Sequence, residues 1–323
     1  AGALLTSIGR QGSGPGEFQG LATIWNGPGD SLIASDQMLM RLSTFDAKGA
    51  FGRSFLLGGT GLPTAPGAGG RIGIAIPMGV FSDGAVLGMK VDFSISEQRQ
   101  GVYRDTITFL RYAPDGQAID TVGRFPGFEM TSLSLNVAPG GRSVSTPTPI
   151  PLGRQTVSAT THAGTVLVAL NDSWEIQERD AAGHLRRLVR IDAPAVRLTN
   201  ADIAAHRDEQ IEAMNAAPQI RALPQQLKNQ FIERVRNAAY PETLPWIVAL
   251  FPVSDGSLWV EETVRPGVNR RRYAVLDSTG ALLGRGTAPA DYRITAVYPD
   301  AVIGIWRDAD QVEHVRVHRI VRP

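Results

Sequence analysis

One unit keeps returning along this chain: a Gly/Asp/Pro turn, then a run of β-branched or large apolar residues, then an acid. The copies are GDSLIASD at 29–36, SDGAVLGMKVD at 82–92, HAGTVLVALND at 162–172, SDGSLWVEE at 254–262 and PDAVIGIWRD at 299–308. They close on Asp36, Asp92, Asp172, Glu262 and Asp308. A second turn follows most copies, at FDAKG 45–49, YAPDG 112–116, RDAAG 179–183 and LDSTG 276–280, with glycine where a hairpin loop needs a left-handed residue. A short apolar strand precedes each first turn: LATIW at 21–25, MGVFS at 78–82, TVSATT at 156–161, WIVALFPV at 246–253 and RITAVYP at 293–299. Each unit therefore reads as a four-stranded antiparallel meander.

The second strands, such as AVLGM and TVLVAL, are apolar at consecutive positions, which predicts sheets covered on both faces. Sheets covered by copies of themselves stack radially, so the expected fold is all-β, a β-propeller of four-stranded antiparallel blades. Five blades are readable. The last unit stops at its third strand, VEHVRVHRIV at 312–321, and ALLTSIG at 3–9 is the expected fourth, giving N-/C-terminal strand closure. Thirty-five glycines and 21 prolines in 323 residues fit that density of turns. The whole of 1–323 is expected to be a single propeller domain, with 198–241 a helical insertion between blades.

The phrases SIGRQGSGPGEF at 7–18, GDSLIASD and RLSTFDAKGAF at 41–51 resemble the strand-to-blade junction of NHL-type six-bladed propellers. DAVIGIWRDADQVEHVRVHRI at 300–320 is similar to the ending of bacterial members of unassigned activity. The resemblance implies six blades. The pieces MTSLSLNV and RSVSTPTPI, within 124–150, could form a degenerate sixth blade or long loops, as could 58–75.

Between the third and fourth units the hydrophobic period becomes helical. LTNADIAAHRDEQIEAMNAA at 198–217 has Thr199 placed as an N-cap with Asp202 three residues on, and Pro218 ends it. A second helix starts near Pro224, carries Leu227, Phe231, Ile232 and Val235 as one stripe, and closes at Tyr240-Pro241. The two stripes are expected to pack across a face or rim of the ring, with partner docking as the alternative use. Arg270, Arg271 and Arg272, with Tyr273 beside them, are expected at a solvated hairpin tip, or otherwise in an anion-binding loop. Leu227, Phe231, Val235, Arg270, Arg271, Arg272 and Tyr273 are thus the candidate partner-binding residues.

The chemistry-bearing residues are sparse. The lack of cysteine excludes disulfides, thiolate metal sites and cysteine nucleophiles. No G-x-S-x-G elbow is present, and His162, His184, His206, His314 and His318 are dispersed. His314, Arg316 and His318 share one face of a strand, with Val315 and Val317 on the other. Histidines four apart on a strand lie about 13 Å apart, too far for one metal ion. The first strands, which line a propeller's channel, offer Trp25, Phe81, Thr160, Ala249 and Ala296 where a calcium site needs carboxylates. The recurrent acids read as turn-bonding groups, and DAD at 308–310 lacks the glycine and distal glutamate of a calcium loop. GSGPGEF reads as turn formation, since a phosphate cradle would need a lysine and a following helix.

A net charge of +1 supplies no global field for nucleic acid or an anionic membrane, and no run of residues is long and apolar enough to span a bilayer. The leading expectation is a non-enzymatic, protein-binding or scaffolding subunit without cofactors, serving as an extrinsic accessory subunit of a membrane-bound complex. The opening AGALL, read as the end left by signal-peptide removal, places it outside the cytoplasm, in the periplasm. The alternatives are a propeller-type metal-dependent hydrolase or lyase, and a small-ligand or glycan sensor using aromatics such as Trp174 and Tyr273.

Overall fold

A computed structural model describes residues 6–59, 71–94, 101–136, 143–308, 310 and 312–321. Five antiparallel sheets follow one another in chain order, each with its strands in sequence order, in a propeller arrangement. The first holds β1 (Leu21–Asn26), β2 (Leu32–Asp36), β3 (Arg41–Phe45) and β4 (Phe51–Phe55). The second holds β5 (Arg71–Val80), β6 (Val86–Ser94), β7 (Val102–Tyr112), β8 (Ala118–Asn136) and β9 (Ser143–Pro149). The third is β10 (Val157–Thr160), β11 (Val166–Ala169), β12 (Glu175–Arg179) and β13 (Leu185–Arg190). After helices α1 (Asn200–Ala216), α2 (Pro218–Arg221) and α3 (Gln225–Arg236) comes the fourth, β14 (Ile247–Pro252), β15 (Leu258–Glu262), β16 (Arg270–Leu276) and β17 (Leu282–Pro289). The fifth has three strands, β18 (Tyr292–Val297), β19 (Ala301–Arg307) and β20 (Glu313–Arg319).

The turns that the repeat identified set this order. Asp46, Asp180 and Asp277 each accept two backbone N–H groups with Oδ1, from Lys48 and Ala50, Ala182 and His184, and Thr279 and Ala281. Gly183 shows why its turn needs glycine twice over. Its φ is +91°, and a Cβ there would stand against the Val122 carbonyl of the preceding blade. The recurrent acids are structural where they are buried. Asp36 accepts the N–H groups of Gln19, Gly20, Met38 and Leu39 at 2.7–3.1 Å, and Glu262 takes the Trp174 indole N–H at 2.8 Å.

The apolar strands pack blade against blade. Ile33 and Leu42 meet Val86 and Tyr112 between the first two blades, and Phe109 and Phe125 meet Val166 and Val168 between the next two. Trp174 and Ile176 meet Ile247 and Val260 between the third and fourth, and Tyr273 meets Tyr292, Ile294 and Val302 between the last two. Asn171, buried and left-handed at φ +66°, ties the third blade to the fourth. Its amide donates to the carbonyls of Gln155 and Ile247 and accepts the N–H groups of Trp246 and Ile247.

Four expectations are corrected. Five sheets form among the described residues where the resemblance implied six. The material for a further blade was spent within the second sheet, because Met130–Asn136 pair with Ser143–Pro149 as an extension of β8; residues 60–70 of the other glycine-rich stretch lie outside the described residues. Of the expected closing strand at 3–9, residues 3–5 lie outside the described residues, and 6–9 form no strand. The stretch that follows is held on the first blade, where the Arg41 guanidinium donates to the carbonyls of Ser13, Gly14 and Glu17. The helices add no apolar cluster to the ring among the described residues: α3 buries no residue fully, its Phe231, Ile232 and Val235 being half-buried, α1 buries Asp202 alone, and the polar side of α3 at Gln226, Asn229 and Gln230 lines a void of about 750 Å³ shared with β8 and β9. Finally, Arg270–Arg272 lie within β16 and not at a hairpin tip.

Candidate functional site

The last blade differs from the others in what it leaves uncovered. Four apolar clusters join the five blades, and among the described residues none joins the fifth to the first. The fifth blade presents Ile303 and Ile305 on this open side, paired across the sheet with Val317 and Val315. Those valines are 63% and 75% exposed. Facing them across the ring order, Leu21 and Ile24 of β1 are 49% and 54% exposed. The outer part of the first blade is already occupied by its own chain: Phe18 lies 5.9 Å from Phe45, and Ile8 fills the space beside Gly49.

β20 is exposed throughout and ends its sheet, so one row of its backbone N–H and C=O groups faces outward unpaired by any described strand. The period-two pattern holds. His314, Arg316 and His318 pair across from Trp306, Gly304 and Val302, on the side that faces the fourth blade. The Arg316 guanidinium lies 3.5 Å from the Trp306 ring centroid, and among the described residues it has no carboxylate partner. His314 Nε2 donates to the Asp308 carboxylate at 2.7 Å, while the His318 ring meets Tyr292 edge-on at 5.0 Å. Asp308 also accepts the N–H groups of Asp310 and Val312, which spends its Oδ1 on backbone. Hydrogen bonding from His314 leads the groups that hold the Asp308 carboxyl below its usual range.

Between the outer strands of the fourth and fifth blades lies a groove of about 450 Å³, lined by Trp259, Tyr273, Tyr292, Trp306, Arg316 and Gly286 among others. A Cβ at Gly284 or Gly286 would meet nothing within 4 Å, so this wall is open. Tyr273 is 1% exposed, and the Ile294 backbone lies beside its hydroxyl. Burial, reinforced by the neighbouring Glu261 charge, pushes that phenol well above its usual range, so it stays a neutral donor.

The residues singled out from sequence fall in separate places. Leu227 is exposed on α3, while Phe231 and Val235 are half-buried. The helical pair is tied at its base: the Arg265 guanidinium pairs with Asp202, His206 Nδ1 lies 3.0 Å from the Tyr240 hydroxyl, and Gly267 N donates to Glu209. Arg271 pairs with Glu261 and Arg272 with Glu262, both at 2.7 Å, which leaves Arg270 the exposed member without a described ion pair. Tyr273 as a surface contact is corrected, because its ring is in the core between blades. Trp174 is likewise buried. No group of three or more His, Asp or Glu side chains suited to a metal ion occurs among the described residues. What sequence reading missed is the open side of the fifth blade. Its signal was the VRV of β20, where valines outside a covered blade face water.

No protein-family model matches this chain, and no curated protein matches its sequence. Among solved structures, a DUF4221-family member from Bacteroides vulgatus is similar at 9% identity over 95% of this chain and 81% of the other, with a TM-score of 0.45. Catalytically inactive virginiamycin B lyase from Staphylococcus aureus is similar at 9% identity over 91% and 78%, with a TM-score of 0.35. A β-propeller domain from Myceliophteria thermophila is similar at 9% identity over 93% and 86%, with a TM-score of 0.36. At these values the likenesses carry no argument about activity.

Proposed function

We propose that the protein is a partner-binding β-propeller with no catalysis of its own, and that its partner is a protein docking at the open side of the fifth blade. One observation carries this reading: among the described residues five blades have four apolar interfaces, and the face left over presents Ile303, Ile305, Val315 and Val317. Covering a valine side chain fully is worth about 1.5 kcal/mol or more, so this face is a substantial source of binding energy. The helical pair, with Leu227, Phe231 and Val235, is a second contact in the same proposal, and Arg270, Arg271 and Arg272 lie on the polar margin of the fourth blade. An extrinsic role on a membrane-bound complex, in the periplasm, belongs to the same reading; no helix among the described residues is long and apolar enough to cross a membrane.

Hydrogen exchange tests it. In the isolated chain, amides of β20 should exchange fast relative to β19, and in complexes purified gently from the native source they should be protected. Strong protection of β20 in the isolated monomer would mean that the chain covers its own edge and would overturn the proposal.

A second reading, a small-ligand sensor, is favoured by the groove between the fourth and fifth blades, where the aromatic rings of Trp259, Tyr292 and Trp306 line the space beside Arg316. Titration with 2-naphthoate, followed by tryptophan fluorescence, should then saturate in the wild type and fail in Gly286→Val, whose side chain would enter the groove. Equal titration of both proteins would remove this reading.

A further inference from the structure

We infer that β20 is a docking edge for an extended strand of a protein partner in which apolar and acidic side chains alternate. The inference rests on the partner-binding reading and names the partner's chemistry. A sheet edge recognises another strand through its outward N–H and C=O row, and side chains at alternate positions then select the sequence. On β20 the two sides differ sharply. One carries Val315 and Val317 at its centre, continuous with Ile305 and Ile303 behind them, with Glu313, paired to Arg307, at one end and Arg319 at the other. The other carries His314, Arg316 and His318, and among the described residues no carboxylate pairs with Arg316 or His318. A strand added beside β20 places its own side chains alternately on these two sides. The favourable complement is an apolar residue on the valine side and Asp or Glu on the basic side.

Charge separates this occupant from the others available. The chain's own stretch Ala3–Gly9 contains no acidic residue, so it would leave the basic side unanswered. A second copy pairing through β20 would bring the Arg316 side against its own counterpart with no carboxylate to answer the guanidinium, and like charges placed opposite are unfavourable. A basic partner would meet the same repulsion.

The test uses the full chain and a fluorescein-labelled peptide, Thr-Glu-Val-Glu-Val-Glu-Thr, with a Lys-for-Glu counterpart, both followed by fluorescence anisotropy. Saturable binding of the Glu peptide is expected, about tenfold or more tighter than the Lys peptide. Arg316→Glu should reverse the order of the two peptides, and Arg316→Gln should narrow the gap; both changes are on an exposed side chain, and far-UV circular dichroism checks the fold. N-methylation of alternate peptide nitrogens, on the set that faces β20, should abolish binding. The inference is overturned if the Glu peptide does not saturate by about 1 mM. It is also overturned if Arg316→Glu leaves the order unchanged, if both N-methylated register sets still bind as well as the parent, or if binding emerges only once residues 1–7 are removed. Fast-exchanging β20 amides in a chain that rejects the Glu peptide overturn this inference alone, whereas a protected edge in the isolated chain overturns the partner-binding reading as well.

Discussion

Replacing Asn171 with alanine should be among the most damaging single changes in the chain. The side chain makes four hydrogen bonds: 3.0 Å to Gln155 O, 2.8 Å to Ile247 O, 3.1 Å from Trp246 N and 2.7 Å from Ile247 N. Both bonds to Ile247 are buried, so truncation leaves an N–H and a C=O without water or a partner, at about 1–3 kcal/mol each. The residue also sits at φ +66°, where asparagine is tolerated better than alanine, which adds about 1 kcal/mol. The sum is about 3–7 kcal/mol, a large part of the roughly 5–15 kcal/mol that holds a typical domain together. Asn171→Gly removes the same bonds but restores the backbone's freedom, so it should be milder than Asn171→Ala by about 1 kcal/mol. Urea unfolding followed by tryptophan fluorescence reads both, through midpoints at unchanged slope. An alanine variant within about 1 kcal/mol of wild type would refute the view that this amide joins the third and fourth blades. A glycine variant no milder than alanine would refute the backbone component.

Three further outcomes follow from the same geometry. Gly183→Ala should destabilise by about 2 kcal/mol or more, beyond the roughly 1 kcal/mol of Gly164→Ala, because both have positive φ but only Gly183 abuts a neighbouring carbonyl; equal losses in urea unfolding would mean the blades do not touch there. Desolvation of the Asp180 carboxyl works upward but is outweighed by the His184 backbone N–H, the His184 ring and Arg186, which hold it at about 2. Its contribution to stability is therefore present above the unfolded value near 3.9 and lost as pH falls toward 2, and carboxyl NMR of Arg186→Ala should show the midpoint rise. An unmoved midpoint would discount the guanidinium. Replacing residues 200–236 by a short Gly-Ser linker should leave the sheets folded with an unchanged urea midpoint, since Leu198 N–Glu242 O and Leu244 N–Val196 O already bring the two ends together; loss of folding would show that the helices complete the core.

Much of the architecture was legible in the residues. The turn-plus-apolar-strand repeat located the inner strands of all five blades, because an Asp or Gly turn and a doubly covered strand are local demands that each blade must meet by itself. The helix start at Thr199 was legible for the same reason: its hydroxyl and the Asp202 carboxylate satisfy N–H groups within one turn. The histidine–arginine–histidine face of β20 also followed from period two alone.

What the sequence could not supply is which face meets which. Gly/Pro/Ser/Thr-rich pieces at 124–150 could join any sheet edge, and only the tertiary arrangement extends the second sheet with them. Tyr273 beside three arginines suggested a surface, yet alternation along β16 sends its ring into the core while Arg271 and Arg272 find Glu261 and Glu262. The repeat by itself determined that blades form, since each depends on contacts a few residues apart. Whether the fifth blade is covered depends on contacts between elements far apart in the chain, and the three-dimensional structure alone decided that, among the described residues, its valines and the edge of β20 stand open.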